Sequence, residues 1–168
     1  YGTSLLSLWG TESSFSYGYN LDNAPAFSLD DPVSEGSYVY AYSYIDTENW
    51  SDTYSFFENT EESVSVGGTV TFRLSVCSYD ENWMPGTMPF AGAKIVMDGY
   101  VTEYTTDENG AVTVPFDQTG IFRISALSDT VQLVPPICNV TVLPANKEVS
   151  VGDAATVPSA MFDILPPE

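Results

Sequence analysis

The sequence predicts an all-β protein, because its patterning is that of short strands joined by tight turns. Apolar and polar residues alternate with a period of two along much of the chain, which is typical of half-buried strands. Gly, Pro, Asn and Asp interrupt these segments, as they do at turns. No apolar pattern with helical spacing is sustained over a useful length, so we expect little helix.

Seven strands are predicted in the second half of the chain, and so many short strands in succession favour a β-sandwich. In the second of them, Val70, Phe72 and Leu74 share one face with Val76, which indicates a half-buried strand. The dipeptides Asp98-Gly99 and Asn109-Gly110 are strong signals for tight turns. The predicted strands are Ser63–Val66, Thr69–Cys77, Ala93–Met97, Tyr100–Thr106, Ala111–Pro115, Ile121–Ala126 and Ile137–Leu143, with a long loop over Ser78–Gly92.

A change in composition near residue 61 divides the chain. Residues 1–61 hold 8 of the 11 Tyr and no Lys or Arg, and we expect a Tyr-rich β region there, either a small domain or extra strands laid on the sandwich. Residues 62–146 form the expected sandwich. Residues 147–168 are either a linker or the start of a further module, since Lys147–Asp153 echoes Glu62–Gly68.

Part of the chain resembles a bacterial immunoglobulin-like domain of the invasin/intimin type, with carboxypeptidase regulatory-like and collagen-adhesin B-type modules as neighbours in pattern. The similar segments lie within residues 62–143 and are Val64–Phe72, Ala91–Met97, Thr105–Val114, Gly120–Ala126 and Cys138–Val142. The resemblance implies an immunoglobulin-like Greek-key β-sandwich. It does not choose a function, because such modules serve as spacers, adhesins and enzyme appendages alike.

The charge balance excludes several classes of function. Four Lys and Arg against 23 Asp and Glu give a formal net charge of −19, which argues against binding to nucleic acid or to anionic membranes. The absence of His excludes Ser-His-Asp and Cys-His catalysis. No apolar run is long enough to cross a bilayer. With neither an initiating Met nor a signal peptide, the chain is expected to be a processed or excised piece of a larger extracellular protein.

The candidate ligand-binding residues are aromatic. Tyr38, Tyr40, Tyr42 and Tyr44 fall on one face of a predicted strand, opposite a face of small and aliphatic residues fit for packing. The four rings form either a platform that stacks sugar rings or a cover over the core with hydroxyls at its rim. Phe15, Tyr17 and Tyr19 alternate likewise, and pairing of the two segments would make these aromatics cross-strand partners.

Two tryptophans in loops complete the candidate site. Trp50 follows the Tyr-rich strand, and Trp83 lies in the long loop beside Asp80 and Glu81. Trp83 either offers a contact surface or folds back over the sandwich. We expect recognition through exposed aromatics, and a charged partner would have to be cationic or bridged by calcium.

The two cysteines are predicted to form a disulfide. In a Greek-key sandwich, the end of the second strand, at Cys77, and the start of the seventh, at Cys138, lie at one pole. The alternation argues against the bond, because Cys77 shares the outward phase of Arg73 whereas Cys138 shares the phase of Val140. A bulge at the strand end would remove this conflict.

No cofactor is required by the sequence, and calcium is the one that it leaves open. The turn Asp107–Gly110 has the acidic and Gly residues of a calcium loop, but Gln118 stands where an EF-hand has its final Glu. The alternative is an ordinary hairpin turn.

The sequence thus indicates a non-catalytic extracellular module of a larger bacterial cell-surface protein, used for display, adhesion or spacing. The alternative is a carbohydrate-binding module that uses the exposed Tyr and Trp side chains. The partner would be an extracellular glycan or protein, with no insertion into a membrane. A hydrolase is a third class, since 23 carboxylates leave room for a catalytic pair.

Overall fold

The computed structural model describes residues 7–8, 10–12, 17–26 and 28–145, and all their regular structure is β-strand, which confirms the predicted all-β class. No helix in these residues is long and apolar enough to cross a membrane. The strands are β1 (Ser7–Leu8), β2 (Thr11–Glu12), β3 (Tyr17–Leu21), β4 (Ala24–Pro25), β5 (Val39–Ser43), β6 (Thr53–Phe57), β7 (Glu61–Ser65), β8 (Gly68–Tyr79), β9 (Pro85–Pro89), β10 (Lys94–Met97), β11 (Tyr100–Thr105), β12 (Ala111–Phe116), β13 (Gly120–Leu127), β14 (Leu133–Val134) and β15 (Cys138–Leu143).

Two sheets pack face to face as a sandwich. The first sheet has the order β11-β10-β13-β15-β7, and the second has the order β12-β8-β6-β14 with β9 also paired to β8. Neighbouring strands are antiparallel except for two pairs, β7 with β15 and β6 with β14. The two remaining groups are the β1-β2 pair and a three-stranded sheet of order β4-β3-β5, called here the small sheet.

The core lies between the two large sheets and follows the alternation of the sequence. Leu74 of β8 is fully buried between Phe72 and Val76, and Ile124 and Val140 of the facing sheet are also fully buried. Burying one such side chain stabilises the fold by about 1.5–3 kcal/mol relative to leaving it exposed. The predicted inward face of β8 is therefore the inward face observed.

All seven strands predicted after residue 62 are present, but the long loop predicted over Ser78–Gly92 contains a strand. β9 pairs antiparallel with the end of β8, from Ser75 opposite Pro89 to Tyr79 opposite Pro85. Proline normally argues against a strand because it has no N–H to donate, but it is tolerated on an edge strand. β9 pairs with β8 alone among the described strands, so the two prolines could lie within it.

β6 lies in the second sheet, although its residues belong to the segment that the sequence analysis assigned to the Tyr-rich region. It pairs with β8 through Ser55 opposite Val76 and with β14 through Tyr54 opposite Val134. Tyr54 and Phe57 are 4% and 3% exposed. The chain thus enters the sandwich at Thr53, and the Tyr-rich residues before it are the ones that build the small sheet.

The small sheet packs its tyrosine face onto the sandwich, in agreement with the second of the two alternatives given for these rings, a cover with hydroxyls at its rim. Tyr40 and Tyr42 contact the ring of Tyr54, with ring centroids 5.5 and 5.9 Å apart. The opposite face, expected to pack, is the exposed one, with Val39 59% and Ile45 70% exposed. Both faces of this segment are apolar, so its alternation alone did not decide which one is covered.

β3 and β5 pair antiparallel, but their aromatics are not cross-strand partners. Tyr42 lies opposite Gly18, and Tyr19 lies opposite Ala41. A one-residue difference in register places the tyrosines of the two strands on opposite faces. Phe15 and residues 147–168, with the predicted further module, lie outside the described residues.

The predicted Cys77–Cys138 disulfide is wrong, because both cysteines are free thiols. One of them faces the core of the sandwich and the other faces away from it. Cys138 is fully buried in the core. Cys77 points outward from β8 toward the small sheet, where its S–H donates to the carbonyl of Asn23 at 3.3 Å. The alternation that argued against the disulfide was therefore correct, and no bulge turns Cys77 toward the core.

Thiol chemistry distinguishes the two cysteines. In unfolded, unreduced protein, we expect two thiols to react with Ellman's reagent. In the folded protein, Cys138 should not react, since burial raises its pKa to about 11 and excludes the reagent. Cys77 should react slowly, because burial also raises its pKa. Recovering no thiol from the unfolded, unreduced chain would contradict this assignment.

Candidate functional site: an aromatic cleft

Four of the six aromatic candidates line one open cleft of about 840 Å³ between the small sheet and the end of β8. They are Tyr42, Tyr44, Trp50 and Trp83. The other two, Tyr38 and Tyr40, lie on the same strand face but outside this cleft. We define the aromatic cleft by six of its lining side chains, which are Tyr42, Tyr44, Trp50, Asp52, Tyr79 and Trp83.

Tyr42 forms part of the floor of the aromatic cleft. Its ring stacks on Tyr54 beneath it, with an interplanar angle of 21°, and meets the edge of the Tyr44 ring at a centroid distance of 5.3 Å. The hydroxyls of Tyr42 and Tyr44 lie 3.5 Å apart. Burial is the main cause that raises the pKa of both Tyr42 and Tyr54, so the phenols stay neutral and present O–H donors.

Gly18 makes room for the Tyr42 ring. It lies directly opposite Tyr42 in the β3–β5 register, and a Cβ added to Gly18 would overlap the Tyr42 ring, including its hydroxyl. An aromatic ring laid across a facing glycine is a known way for a sheet to fix its register and cover bare backbone. The position of Tyr42 in the floor therefore depends on a missing side chain in β3.

Trp50 is presented by a loop that Asp46 fastens. The Asp46 carboxylate accepts hydrogen bonds from the backbone N–H of Asn49 at 3.0 Å and from the Ser51 hydroxyl at 2.7 Å. The N–H of Trp50 donates to the carbonyl of Asp46 at 3.0 Å. These bonds, the one from Ser51 first, lower the pKa of Asp46 to about 2. The indole itself is 53% exposed.

Trp83 is presented in the same manner at the tip of the β8–β9 hairpin. The Asp80 carboxylate accepts hydrogen bonds from the N–H groups of Asn82 and Met84, both at 2.8 Å. The N–H of Trp83 donates to the carbonyl of Asp80 at 3.0 Å. The Trp83 ring is 80% exposed and its centroid lies 6.3 Å from that of Tyr79.

Both tryptophans have a left-handed backbone conformation, with φ of 53° at Trp50 and 62° at Trp83. A bulky residue rarely adopts this region, and holding one there costs on the order of 1–3 kcal/mol. The surrounding Asp-centred hydrogen bonds hold this conformation in each loop. Strain of this kind is concentrated at functional sites in proteins, and here it occurs twice at the rim of one cleft.

The two loops also share a sequence motif. Glu48-Asn49-Trp50 and Glu81-Asn82-Trp83 are the same tripeptide, with Asp46 two residues before the first and Asp80 directly before the second. That repeat was visible in the sequence and would have paired the two tryptophans. The structure adds that both copies open onto the same cleft.

The charged lining of the aromatic cleft is anionic. Asp52 carries the one formal charge among its described lining residues, which include no Lys or Arg. Asp52 is 9% exposed, and its carboxylate accepts hydrogen bonds from the backbone N–H groups of Ile45 and Asp46. These bonds tie the end of the Tyr-rich strand to the start of β6.

The acidic turn considered for calcium is an ordinary turn. The Asp107 carboxylate accepts hydrogen bonds from the N–H groups of Asn109 at 2.8 Å and Ala111 at 2.9 Å, and Gly110 has a φ of 69°. Among the described residues, no group of three or more Cys, Asp or Glu side chains has an arrangement that could hold a metal ion. Calcium binding stays a prediction.

No protein-family model, no curated protein and no solved structure matches this chain significantly. The resemblance to bacterial immunoglobulin-like domains therefore stays a prediction from the sequence.

The glycine opposite Tyr42 can be tested directly. Gly18→Ala should destabilise the protein by about 1–3 kcal/mol, because the added methyl group must displace the Tyr42 ring. Gly86→Ala is the matched control, since Gly86 also lies in a strand and its added Cβ has only an ordinary contact with Ser78 at 3.7 Å. Urea unfolding measures both variants. Equal stability of the two would show that Tyr42 does not cover Gly18.

The fastening of the Trp50 loop should appear in the titration of Asp46. A pKa lowered below the ordinary 3.8 means that the loop bonds contribute at higher pH and are lost as the pH falls toward 2. Carboxyl NMR should therefore place the pKa of Asp46 at about 2. Ser51→Ala should raise it toward 3.8, whereas Thr47→Ala, which removes none of these bonds, should not. An ordinary pKa for Asp46 in the unaltered protein would refute the loop geometry.

Proposed function

We propose that this chain is a non-catalytic module of a larger bacterial cell-surface protein, and that it serves in adhesion by binding extracellular carbohydrate in the aromatic cleft. In this proposal, Trp50 and Trp83 stack against sugar rings at the rim. Tyr42, Tyr44 and Tyr79 supply further aromatic surface and O–H groups. The sandwich, with the immunoglobulin-like character that its sequence predicts, is the scaffold that holds these parts.

The observation that carries the proposal is the pair of Glu-Asn-Trp loops. Each loop holds a large apolar side chain in a strained conformation and leaves it in solvent, at 53% exposure for Trp50 and 80% for Trp83. A tryptophan that served only packing would be covered. Two of them, placed in the same manner around one cleft, support a surface made for stacking.

The polar groups of the aromatic cleft suit a sugar. Neutral phenols donate and accept hydrogen bonds, and the hydroxyls of Tyr42 and Tyr44 are only 3.5 Å apart. A sugar presents apolar C–H faces with hydroxyls at their edges, so it needs rings for its faces and polar atoms for its rim. The absence of Lys and Arg from the described lining argues against acidic or phosphorylated ligands.

Composition supports the setting on the cell surface and the absence of catalysis. The net charge of −19 keeps the protein away from polyanions and favours solubility, as an exposed module requires. A chain without His lacks the commonest general acid and base. The aromatic cleft has a single described carboxylate, Asp52, whereas glycosidases use a pair.

A glycan array followed by variants tests the proposal. We expect at least one bound glycan, with Trp50→Ala and Trp83→Ala each weakening its affinity at least about tenfold, as is typical of an aromatic anchor. Tyr100→Ala is the matched control, because Tyr100 is also 80% exposed but lies on β11, away from the cleft. It should bind as the unaltered protein does, and all three variants should keep the same far-UV circular dichroism.

An array with no bound glycan would contradict the proposal. So would folded Trp50→Ala and Trp83→Ala variants that bind normally. Either result leaves a module for display or spacing, with aromatics that have no ligand of their own.

A further inference from the structure

We propose that the sugar bound in the aromatic cleft carries a protonated amino group, so that the preferred ligand is a polysaccharide of unacetylated amino sugars. This inference rests on the proposed function, because it names the class of sugar for the same cleft. It is drawn from the way that charge and aromatic rings are combined at the cleft.

Each of the two Glu-Asn-Trp loops carries a carboxylate beside its indole in the sequence. Each tryptophan is accompanied by a carboxylate two residues before it, Glu48 for Trp50 and Glu81 for Trp83. Both glutamates are exposed, and neither side chain makes a hydrogen bond or an ion pair with any described residue. Asp46 and Asp80, by contrast, use their carboxylates to fasten the loops. The two glutamates therefore have no structural task in the loops that carry them.

The described cationic side chains lie away from the aromatic cleft. Those among the described residues are on sandwich strands, with Arg73 on β8, Lys94 on β10 and Arg123 on β13. Arg73 pairs with Glu58 at 3.5 Å, and Lys94 pairs with Asp129 at 2.6 Å. None of the three lines the aromatic cleft. An ammonium group on a ligand that stacks against either indole would therefore meet no competition from these side chains.

The aromatic rings of the cleft can themselves attract a cation. The faces of Trp and Tyr rings attract cations through their negative charge density, and Trp is the strongest of these partners. A cleft with two exposed indoles, several phenols and the Asp52 carboxylate is complementary to an organic ammonium ion, and Glu48 and Glu81 add negative charge in the loops that carry the indoles. An amino sugar joins that ion to the C–H face that stacks on an aromatic ring, so both features of the cleft are used at once.

The experiment compares three hexasaccharides that share one β-1,4-linked backbone. They are the hexamers of glucosamine, of N-acetylglucosamine and of glucose. In mildly acidic buffer the glucosamine amines are protonated, and isothermal titration calorimetry should give the glucosamine hexamer at least tenfold the affinity of either neutral hexamer. Its affinity should fall between about 0.01 M and about 1 M salt, where the Debye length shortens from about 30 Å to about 3 Å.

Variants separate the cleft from general attraction to an acidic protein. Glu48→Gln and Glu81→Gln together should remove most of the preference for glucosamine while leaving the neutral hexamers unaffected. Glu103→Gln is the control, because Glu103 is an exposed carboxylate on β11. Hexalysine, a cation without sugar rings, should bind more weakly than the glucosamine hexamer and should not depend on Trp50 or Trp83.

The outcomes distinguish this inference from the proposed function. Tighter or equal binding of a neutral hexamer overturns the inference and leaves carbohydrate binding intact. Hexalysine binding as tightly as the glucosamine hexamer also overturns it, because simple charge attraction would then explain the result. If none of these hexamers and no glycan on the array binds, the proposed function fails and the inference fails with it.

Discussion

The ring of Tyr54 joins the small sheet to the sandwich, and the shape of the aromatic cleft depends on that contact. Tyr54 is 4% exposed on β6, where it stacks with Tyr42 and meets the Tyr40 ring edge-on. Its hydroxyl donates to the side-chain oxygen of Asn23 at 3.0 Å. Because β6 is hydrogen-bonded into the second sheet, these contacts fix β5 relative to the core. The sandwich therefore holds the floor of the cleft in place.

The contact between Tyr54 and the small sheet involves polar groups as well as buried apolar area. Tyr54 and the two phenols packed against it are partly desolvated, and burial is the main cause that raises the pKa of Tyr40, Tyr42 and Tyr54. Neutral phenols keep their O–H donors, and Tyr40 uses its own to reach the carbonyl of Pro135 at 2.9 Å. The small sheet is thus held by rings packed together and by hydroxyls directed to fixed acceptors. Such a combination specifies one position for the sheet, which apolar contact alone would not.

The sequence was sufficient where a pattern is local and one-sided. β8 alternates between apolar residues and Thr or Arg, so its buried face could be predicted, and Gly99 and Gly110 have the positive φ that their turns require. Local patterns were insufficient where contacts with other strands determine the structure. Val39–Ser43 is apolar on both faces, so only the position of Tyr54 determines which face is covered. β9 is a strand because β8 is long enough to pair with it, although its prolines argue against a strand.

The residue types of the site could be predicted from the sequence, but their convergence in space could not. Tyr42, Tyr44, Trp50 and Trp83 meet because the β8–β9 hairpin and the loop before β6 project toward the same side of the small sheet. No spacing of residues in the sequence indicates that these side chains converge. The repeated Glu-Asn-Trp tripeptide does indicate the local structure, in which an upstream Asp fastens a turn and a strained backbone turns the indole outward.

A protein with a charge of −19 and few cations can bind a ligand by attraction only to positive charge or through surfaces that are nearly neutral. Exposed indoles, with a glutamate in each of their loops, offer both kinds of surface, which is why we propose that recognition occurs at the aromatic cleft.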